Sequence, residues 1–140
     1  MNIGIIGCGY ISPVYFNAHK LYNNFKVTAC ADIDETVAKK SASEFNVSFQ
    51  TIDEILTNPT IDIILNLTIP SAHKEIIIKT LNAGKHSYSE KPLAISLEEG
   101  KEIYTLANEK NLHVGCAPDT FLGAARDYLK KCKFFKTNKK

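Results

Sequence analysis

Asn2-Ile3-Gly4-Ile5-Ile6-Gly7-Cys8-Gly9-Tyr10-Ile11-Ser12-Pro13 is the stretch on which the fold turns. Asn2 to Ile6 is a short apolar run, the form of a strand buried on both faces. Gly7 and Gly9 then break the run at a spacing that suits a tight turn. Ser12 and Pro13 follow, and proline suits a first helical turn because its missing N–H would be unpaired there anyway. The stretch therefore reads as strand, glycine turn and helix.

The same unit recurs along the chain. Apolar runs predict strands at Asn2–Ile6, Lys26–Ala31, Ile61–Asn66, His86–Tyr88 and His113–Gly115, with a short extended piece at Val47–Phe49. Helices fill the gaps. Thr51-Ile52-Asp53-Glu54 and Ser96-Leu97-Glu98-Glu99 have the form of capping boxes, in which hydroxyl and carboxylate each satisfy a backbone N–H. Ser71 is a cap candidate for a helix whose apolar face includes Ile77, Thr80 and Leu81. Gly84 and Asn111 stand where helices need to stop, and Pro59 and Pro70 fall at boundaries. Ile103, Leu106 and Ala107 share one face of a helix running from Leu97 to about Lys110. Strand and helix thus alternate through about six strands, which predicts an α/β fold: a doubly wound parallel sheet in three layers, helix on sheet on helix. Such sheets bind ligands beyond the carboxyl ends of their strands, where strand order reverses.

Composition bounds the answer. A chain of 140 residues, 44% hydrophobic, suits one domain with one core. It has no apolar run of the roughly 18 residues a membrane span needs. A strand starting at Asn2 leaves no room for a cleaved leader, so a cytoplasmic protein is expected. Cys8, Cys30, Cys116 and Cys132 are far apart, with no metal-ligand spacing, and read as reduced, inert thiols. Residues 1–127 hold 11 Lys and Arg against 15 Asp and Glu, a charge of −4, whereas residues 128–140 hold six lysines and no acid. A basic tail can attract nucleic acid, but this one lacks Arg and regular aromatic interleaving and follows an acidic body. It reads as a solvated, frayed end, with no nucleic-acid partner expected.

The chemistry lies at the strand ends. Gly7-Cys8-Gly9-Tyr10-Ile11-Ser12 is G-x-G-x-x-S, one residue from the Rossmann dinucleotide fingerprint. Gly7 permits the turn, Gly9 lets backbone approach a pyrophosphate, and the helix start offers N–H groups. Ser12 replaces the third glycine, whose task is close helix–strand packing, and a slight loosening is expected. Asp32 closes the second strand, 20 residues after Ser12, where a carboxylate can bind adenosine ribose hydroxyls and repel a 2′-phosphate. NAD is therefore favoured over NADP. Asp32 or Asp34 can instead cap the next helix, and Asp34 is the better placed of the two. Leu67 and Thr68 follow the strand ending at Asn66, where Thr68 and nearby backbone can touch a cofactor. Glu90-Lys91-Pro92 follows the next strand, and Lys91 offers a cation and three donors at the same rim. No metal site is expected.

Together these motifs resemble the N-terminal domain of the Gfo/Idh/MocA oxidoreductases, named after glucose–fructose oxidoreductase and inositol dehydrogenase. The resemblance rests on Ile3-Gly4-Ile5-Ile6-Gly7-Cys8-Gly9, Ala31-Asp32, Asn66-Leu67-Thr68-Ile69-Pro70-Ser71-Ala72-His73, Glu90-Lys91-Pro92 and Ala117-Pro118-Asp119-Thr120-Phe121-Leu122-Gly123. It implies hydride transfer between NAD(P) and a hydroxyl-bearing carbon of a sugar or cyclitol. It implies that Gly7, Gly9, Tyr10, Ile11, Asp32, Leu67, Thr68, His73, Glu90 and Lys91 bind cofactor, and that Lys91 also reaches substrate as the catalytic residue. It further implies a cis Lys91–Pro92 peptide and an active-site mouth lined by Asp119 and Thr120.

Family members continue into a second α/β domain that supplies most substrate contacts and the usual proton-transfer pair. The resemblance fades after Asp127, so residues 1–127 are expected to form the dinucleotide-binding domain and residues 128–140 a basic, out-of-frame tail. The expected function is the cofactor half of a dehydrogenase with a sugar-like small-molecule substrate, weak or inactive alone. The alternative is a non-catalytic NAD-binding module or truncation product. Exposed apolar surface where the second domain would dock is expected to favour self-association.

Overall fold

The computed structural model describes residues 1–117 apart from His19 and Asn23. Its strands are β1 (Asn2–Ile6), β2 (Lys26–Ala31), β3 (Ser48–Phe49), β4 (Ile63–Asn66), β5 (His86–Ser89) and β6 (Val114–Cys116). Its helices are α1 (Ser12–Ala18), α2 (Glu35–Phe45), α3 (Ile52–Thr57), α4 (His73–Asn82) and α5 (Leu97–Glu109). The six strands form one sheet in the order β3-β2-β1-β4-β5-β6, and every pairing is parallel. This is the doubly wound Rossmann-type sheet that the alternation predicts.

The apolar runs become buried strands because each side of the sheet is covered. Ile5 and Ile6 are both fully buried, yet they join different clusters because successive side chains point to opposite faces. Ile5 packs with Phe16, Val27, Cys30, Ala38, Ala42 and Leu65, beneath α1 and α2. Phe16 of α1 stacks on Phe45 of α2 with ring centroids 4.4 Å apart. Ile6 packs with Ala29, Ile55, Ile64 and Ile76, beneath α3 and α4. Ile77 and Leu81 of α4 meet Ile103 and Ala107 of α5 in a third cluster, with Leu106 packed against it.

The helix ends follow the side chains that stand there. Thr51 accepts from Glu54 N while the Glu54 carboxylate takes Thr51 N, so the first capping box is complete. Ser96 accepts from Glu99 N, but the Glu99 carboxylate reaches one residue further, to Ile95 N at 3.1 Å. Gly84 (φ 75°) and Asn111 (φ 54°) are left-handed where α4 and α5 stop.

Two expectations need correction. Ser71 caps nothing: Pro70 opens a short 3-10 helix, Pro70–Ala72, which places Ser71 inside a turn and makes Ala72 the residue ahead of α4. Proline's fixed φ starts helical backbone earlier than a serine cap would. Ser12 is 1% exposed, and its hydroxyl donates to Gly9 O at 2.8 Å. β4 starts two residues later than the apolar run, at Ile63. Asp62 ahead of it still exchanges backbone bonds with Asn2 and His86.

Asp119, Thr120, Cys132, the boundary at residue 127 and the basic tail lie outside the described residues. No helix of the described residues is long and apolar enough to cross a membrane.

Candidate functional site

Parallel pairing lines the strand ends up in one row. Ala31, Ile6, Asn66, Ser89 and Cys116 are successive partners across the sheet. The residues one step beyond them are Asp32, Gly7, Leu67, Glu90 and Ala117. Strand order reverses at β1, which lies between β2 and β4 while the chain runs outward to β3 on one side and β6 on the other. The glycine turn therefore leaves the sheet at the switch point, where doubly wound folds hold their ligands.

Gly7 is required there. Its φ is 100°, and a Cβ would stand 2.6 Å from the Leu67 carbonyl carbon and 2.8 Å from Thr68 N. Both neighbours are backbone and cannot yield. At Gly9 a Cβ would meet nothing within 4 Å, so this glycine opens space instead of filling it. No hydrogen bond among the described residues engages the backbone N–H groups of Gly9, Tyr10 and Ile11. Tyr10 and Ile11 are exposed. An open glycine beside unpaired N–H donors is the surface a pyrophosphate needs, so the turn fits a dinucleotide.

Asp32 is tied to that turn. Its Oδ2 accepts Cys8 N at 2.7 Å and its Oδ1 accepts Asp34 N at 3.0 Å. Asp34 is the cap of α2, accepting Thr36 N at 2.9 Å. Asp32 is thus spared from capping but is not idle, since it fixes the turn from the β2 side. Each carboxylate oxygen keeps acceptor capacity beyond these bonds, and Asp32 is only half-buried.

Cys8 beneath the turn is a buried thiol pushed upward in pKa by the neighbouring Cys30 thiol, by burial and by the Asp32 carboxylate. It stays protonated and behaves as a core residue. Among the described residues, Cys8, Cys30 and Cys116 are free thiols.

On the other side of β1, Thr68 is half-buried and is held by Asn66, whose Oδ1 accepts Thr68 N at 3.2 Å and its hydroxyl at 2.7 Å. Leu67 is 6% exposed and packs in the core, so only its backbone faces the turn. His73 lies beneath the rim, 1% exposed. Its Nδ1 meets Pro92 O at 2.6 Å and its Nε2 meets Thr68 O at 2.9 Å. The ring is thus held between two backbone carbonyls.

Glu90 receives the Tyr15 hydroxyl on Oε1 and Lys91 N on Oε2 at 3.2 Å. Lys91 is exposed beyond it, and the Lys91–Pro92 peptide is cis, as the family resemblance implies. The structure therefore brings Gly7, Gly9, Tyr10, Ile11, Asp32, Thr68, Glu90 and Lys91 to one edge of the sheet and places Leu67 and His73 under it.

Two members of this arrangement escaped the sequence reading. Asn66 is fully buried at the end of an apolar strand, and a lone amide in such a run signals that a polar network is waiting. Tyr15 gives less warning, since an aromatic on a helix next to Phe16 reads as core.

A cleft of about 210 Å³ lies elsewhere, between α5 and the entry to β6, lined by Leu93, Ile103, Tyr104, Ala107, Leu112 and His113 among others. It shares no residue with the glycine turn. Among the described residues there is no cluster of three or more His, Cys, Asp or Glu able to hold a metal.

Fold, switch point and rim define a dinucleotide-binding domain of the Rossmann type. Residues 1–117 match the family model for the oxidoreductase family with an NAD-binding Rossmann fold, and the chain belongs to that family, Gfo/Idh/MocA. The chain is 32% identical over 126 residues to an uncharacterized protein of Saccharomyces cerevisiae, covering 84% of this chain and 35% of that protein. It is 29% identical over 114 residues to an inositol 2-dehydrogenase/D-chiro-inositol 3-dehydrogenase of Lactiplantibacillus plantarum, covering 79% of this chain and 32% of the enzyme. Among solved structures it resembles a Synechocystis biliverdin reductase in complex with biliverdin and NADP+, with a TM-score of 0.85 and 27% identity over 94% of this chain and 42% of that one. The chain thus spans about a third of the length of these curated relatives.

Proposed function

We propose that this chain holds NAD so that its nicotinamide lies at Lys91, as the cofactor half of a dehydrogenase acting on a hydroxyl-bearing carbon of a sugar or cyclitol. The observation that carries the reading is the rim itself: the open turn at Gly9, the carboxylate of Asp32 and the cation of Lys91 stand on one edge of the sheet, on either side of the switch point. The inositol dehydrogenase among the relatives supports the substrate class.

When bound, the dinucleotide would accept or return a hydride at its nicotinamide ring. The chain's own residues do the rest. The N–H groups of Gly9, Tyr10 and Ile11 bind pyrophosphate oxygens. Asp32 keeps the turn in place through Cys8 and accepts from the adenosine ribose hydroxyls, and its charge disfavours a 2′-phosphate. Lys91 donates to the substrate oxygen and steadies negative charge that develops there.

The relatives extend well beyond the matched part, and we assign their substrate contacts and proton-transfer groups to that remainder. Residues 1–127 form the cofactor domain in this reading, residues 128–140 a tail. The chain alone then binds cofactor and turns over weakly or not at all, because catalysis needs all reacting groups in one geometry. Exposed Tyr10, Ile69 and Ile95 offer apolar surface for docking a second domain, and for self-association without one. Free thiols fit the reducing cytoplasm.

Titrating the chain into NADH and into NADPH, with nicotinamide fluorescence as the readout, tests the reading. Saturable NADH binding, tighter than that of NADPH and weakened in Asp32→Ala, is expected. Folded protein that binds neither dinucleotide would overturn it.

A further inference from the structure

We infer that Lys91 is aimed by a two-sided clamp, in which Tyr15 holds Glu90 and His73 holds Pro92, so that Tyr15 and His73 are positioning residues for the nicotinamide end of the cofactor. This rests on the assignment of Lys91 to that end proposed above.

Lys91 stands exposed on a turn, and its side chain is not tied to any other described residue. A long side chain on a loose turn would lose much of its value as a directed donor, because ordering it costs conformational entropy. Here its neighbours on both sides are pinned to different parts of the fold. Before it, Glu90 N donates to Asn66 O at 2.9 Å, and the Glu90 carboxylate receives the Tyr15 hydroxyl from α1 and Lys91 N from its own turn. After it, Pro92 O meets Nδ1 of His73 at 2.6 Å.

The second pin is rooted deeply. His73 is 1% exposed, its Nε2 meets Thr68 O at 2.9 Å, and its own carbonyl accepts from Asn66 Nδ2 at 3.2 Å. One ring therefore joins the loop after β4 to the turn after β5. Asn66, fully buried, ties the same loop from its other end through Thr68. Polar contacts of this kind restrain the loops that make them, and removing one member costs its partners a hydrogen bond. The burial of His73 and the engagement of both Glu90 oxygens give these residues an indirect part, through the backbone that carries Lys91.

The test uses the whole chain and two ligands, NADH and ADP-ribose. ADP-ribose shares the adenine, both riboses and the pyrophosphate but lacks the nicotinamide. Tyr15→Phe removes one hydroxyl and keeps the ring, and His73→Gln keeps a polar group in the same cavity. Each is expected to weaken NADH binding by about 3- to 10-fold, the worth of one hydrogen bond, with ADP-ribose affinity unchanged. Placed on a Lys91→Ala background, Tyr15→Phe is expected to cost nothing further. Circular dichroism confirms that the variants fold, and should His73→Gln fail to fold, Tyr15→Phe decides alone.

Equal losses for both ligands would mean general damage to the fold and overturn the clamp, as would no loss for either. Wild-type chain that binds ADP-ribose but gains nothing from the nicotinamide would overturn the placement of Lys91 and the clamp with it. Wild-type chain that binds NADH more tightly than ADP-ribose, with variants that do not separate the two, would leave the proposed function standing and remove only the clamp.

Discussion

Asp32 at the end of β2 accepts the backbone N–H of Cys8 in the glycine turn at 2.7 Å. One carboxylate thereby has two duties, shaping the turn and, in the proposed function, receiving the adenosine ribose. The two can be separated by substitution. Asp32→Asn keeps an acceptor for Cys8 N and removes the charge. We expect it to fold, to lose NADH affinity by about 10-fold or more, since hydrogen bonds to charged groups contribute roughly 1.5–3 kcal/mol, and to narrow the gap between NADH and NADPH. Paired fluorescence titrations check this, and an unchanged NADH affinity would remove Asp32 from the ribose.

Gly7 and Gly9 should fail in opposite ways. Gly7→Ala forces a Cβ against the Leu67 backbone at a φ of 100°. A loss of stability of about 1–3 kcal/mol is expected in urea unfolding. Gly9→Ala meets nothing within 4 Å and should unfold like the wild type, yet its methyl group stands where the pyrophosphate approaches. NADH affinity should fall without loss of stability. Equal loss of stability in the two variants would contradict this division.

Cys8 should be inert in the folded chain. The thiolate is the reactive form, and the neighbouring Cys30 thiol, burial and the Asp32 charge all hold Cys8 protonated. Alkylation at pH 8, read by peptide mass spectrometry, is expected to spare Cys8 in buffer and to label it in urea. Cys116, raised by burial and by Glu90, should also be slowed. Labelling of folded Cys8 at the unfolded rate would show that the core beneath the turn opens.

The first helix cap gives a pH signature. Bonds from the Thr51 N–H and then the Thr51 hydroxyl hold the Glu54 carboxyl below its ordinary value of 4.5. A depressed folded-state pKa adds stability above the unfolded value and loses it as pH falls through the folded one. Thermal melts of the wild type and Glu54→Gln should therefore differ at pH 7 and converge toward pH 3. Thr51→Ala is expected to cost about 1 kcal/mol at pH 7, the usual worth of such a cap. A gap between wild type and Glu54→Gln that widened in acid would reverse the sign and refute the assignment.

Much of this was legible in the residues because local signals and the global fold agree. Apolar runs such as Ile3 to Ile6 become parallel strands since they are covered on both faces, and Thr51, Asp34, Gly84 and Asn111 act where their chemistry is cheapest. The glycine turn was legible for the same reason: glycines after a buried strand and before a helix suit a tight turn. Contacts made only in three dimensions were not legible. Tyr15 meets Glu90 across 75 positions of chain, and nothing local to either residue announces it. His73 reads as a rim residue in the linear motif, but the 3-10 turn started by Pro70 precedes it and its ring is buried between two loops. Ser71 looks like a cap until that same turn displaces the helix start.

The most direct measurement is a two-dimensional 1H–15N NMR spectrum of the chain with and without NAD. Binding at the switch point predicts shifts at Gly9, Tyr10, Ile11, Asp32, Thr68 and Lys91, with the cleft residues Tyr104 and Leu112 unmoved. Shifts confined to that cleft, or a spectrum that NAD leaves unchanged, would contradict the assignment of this edge of the sheet to the cofactor.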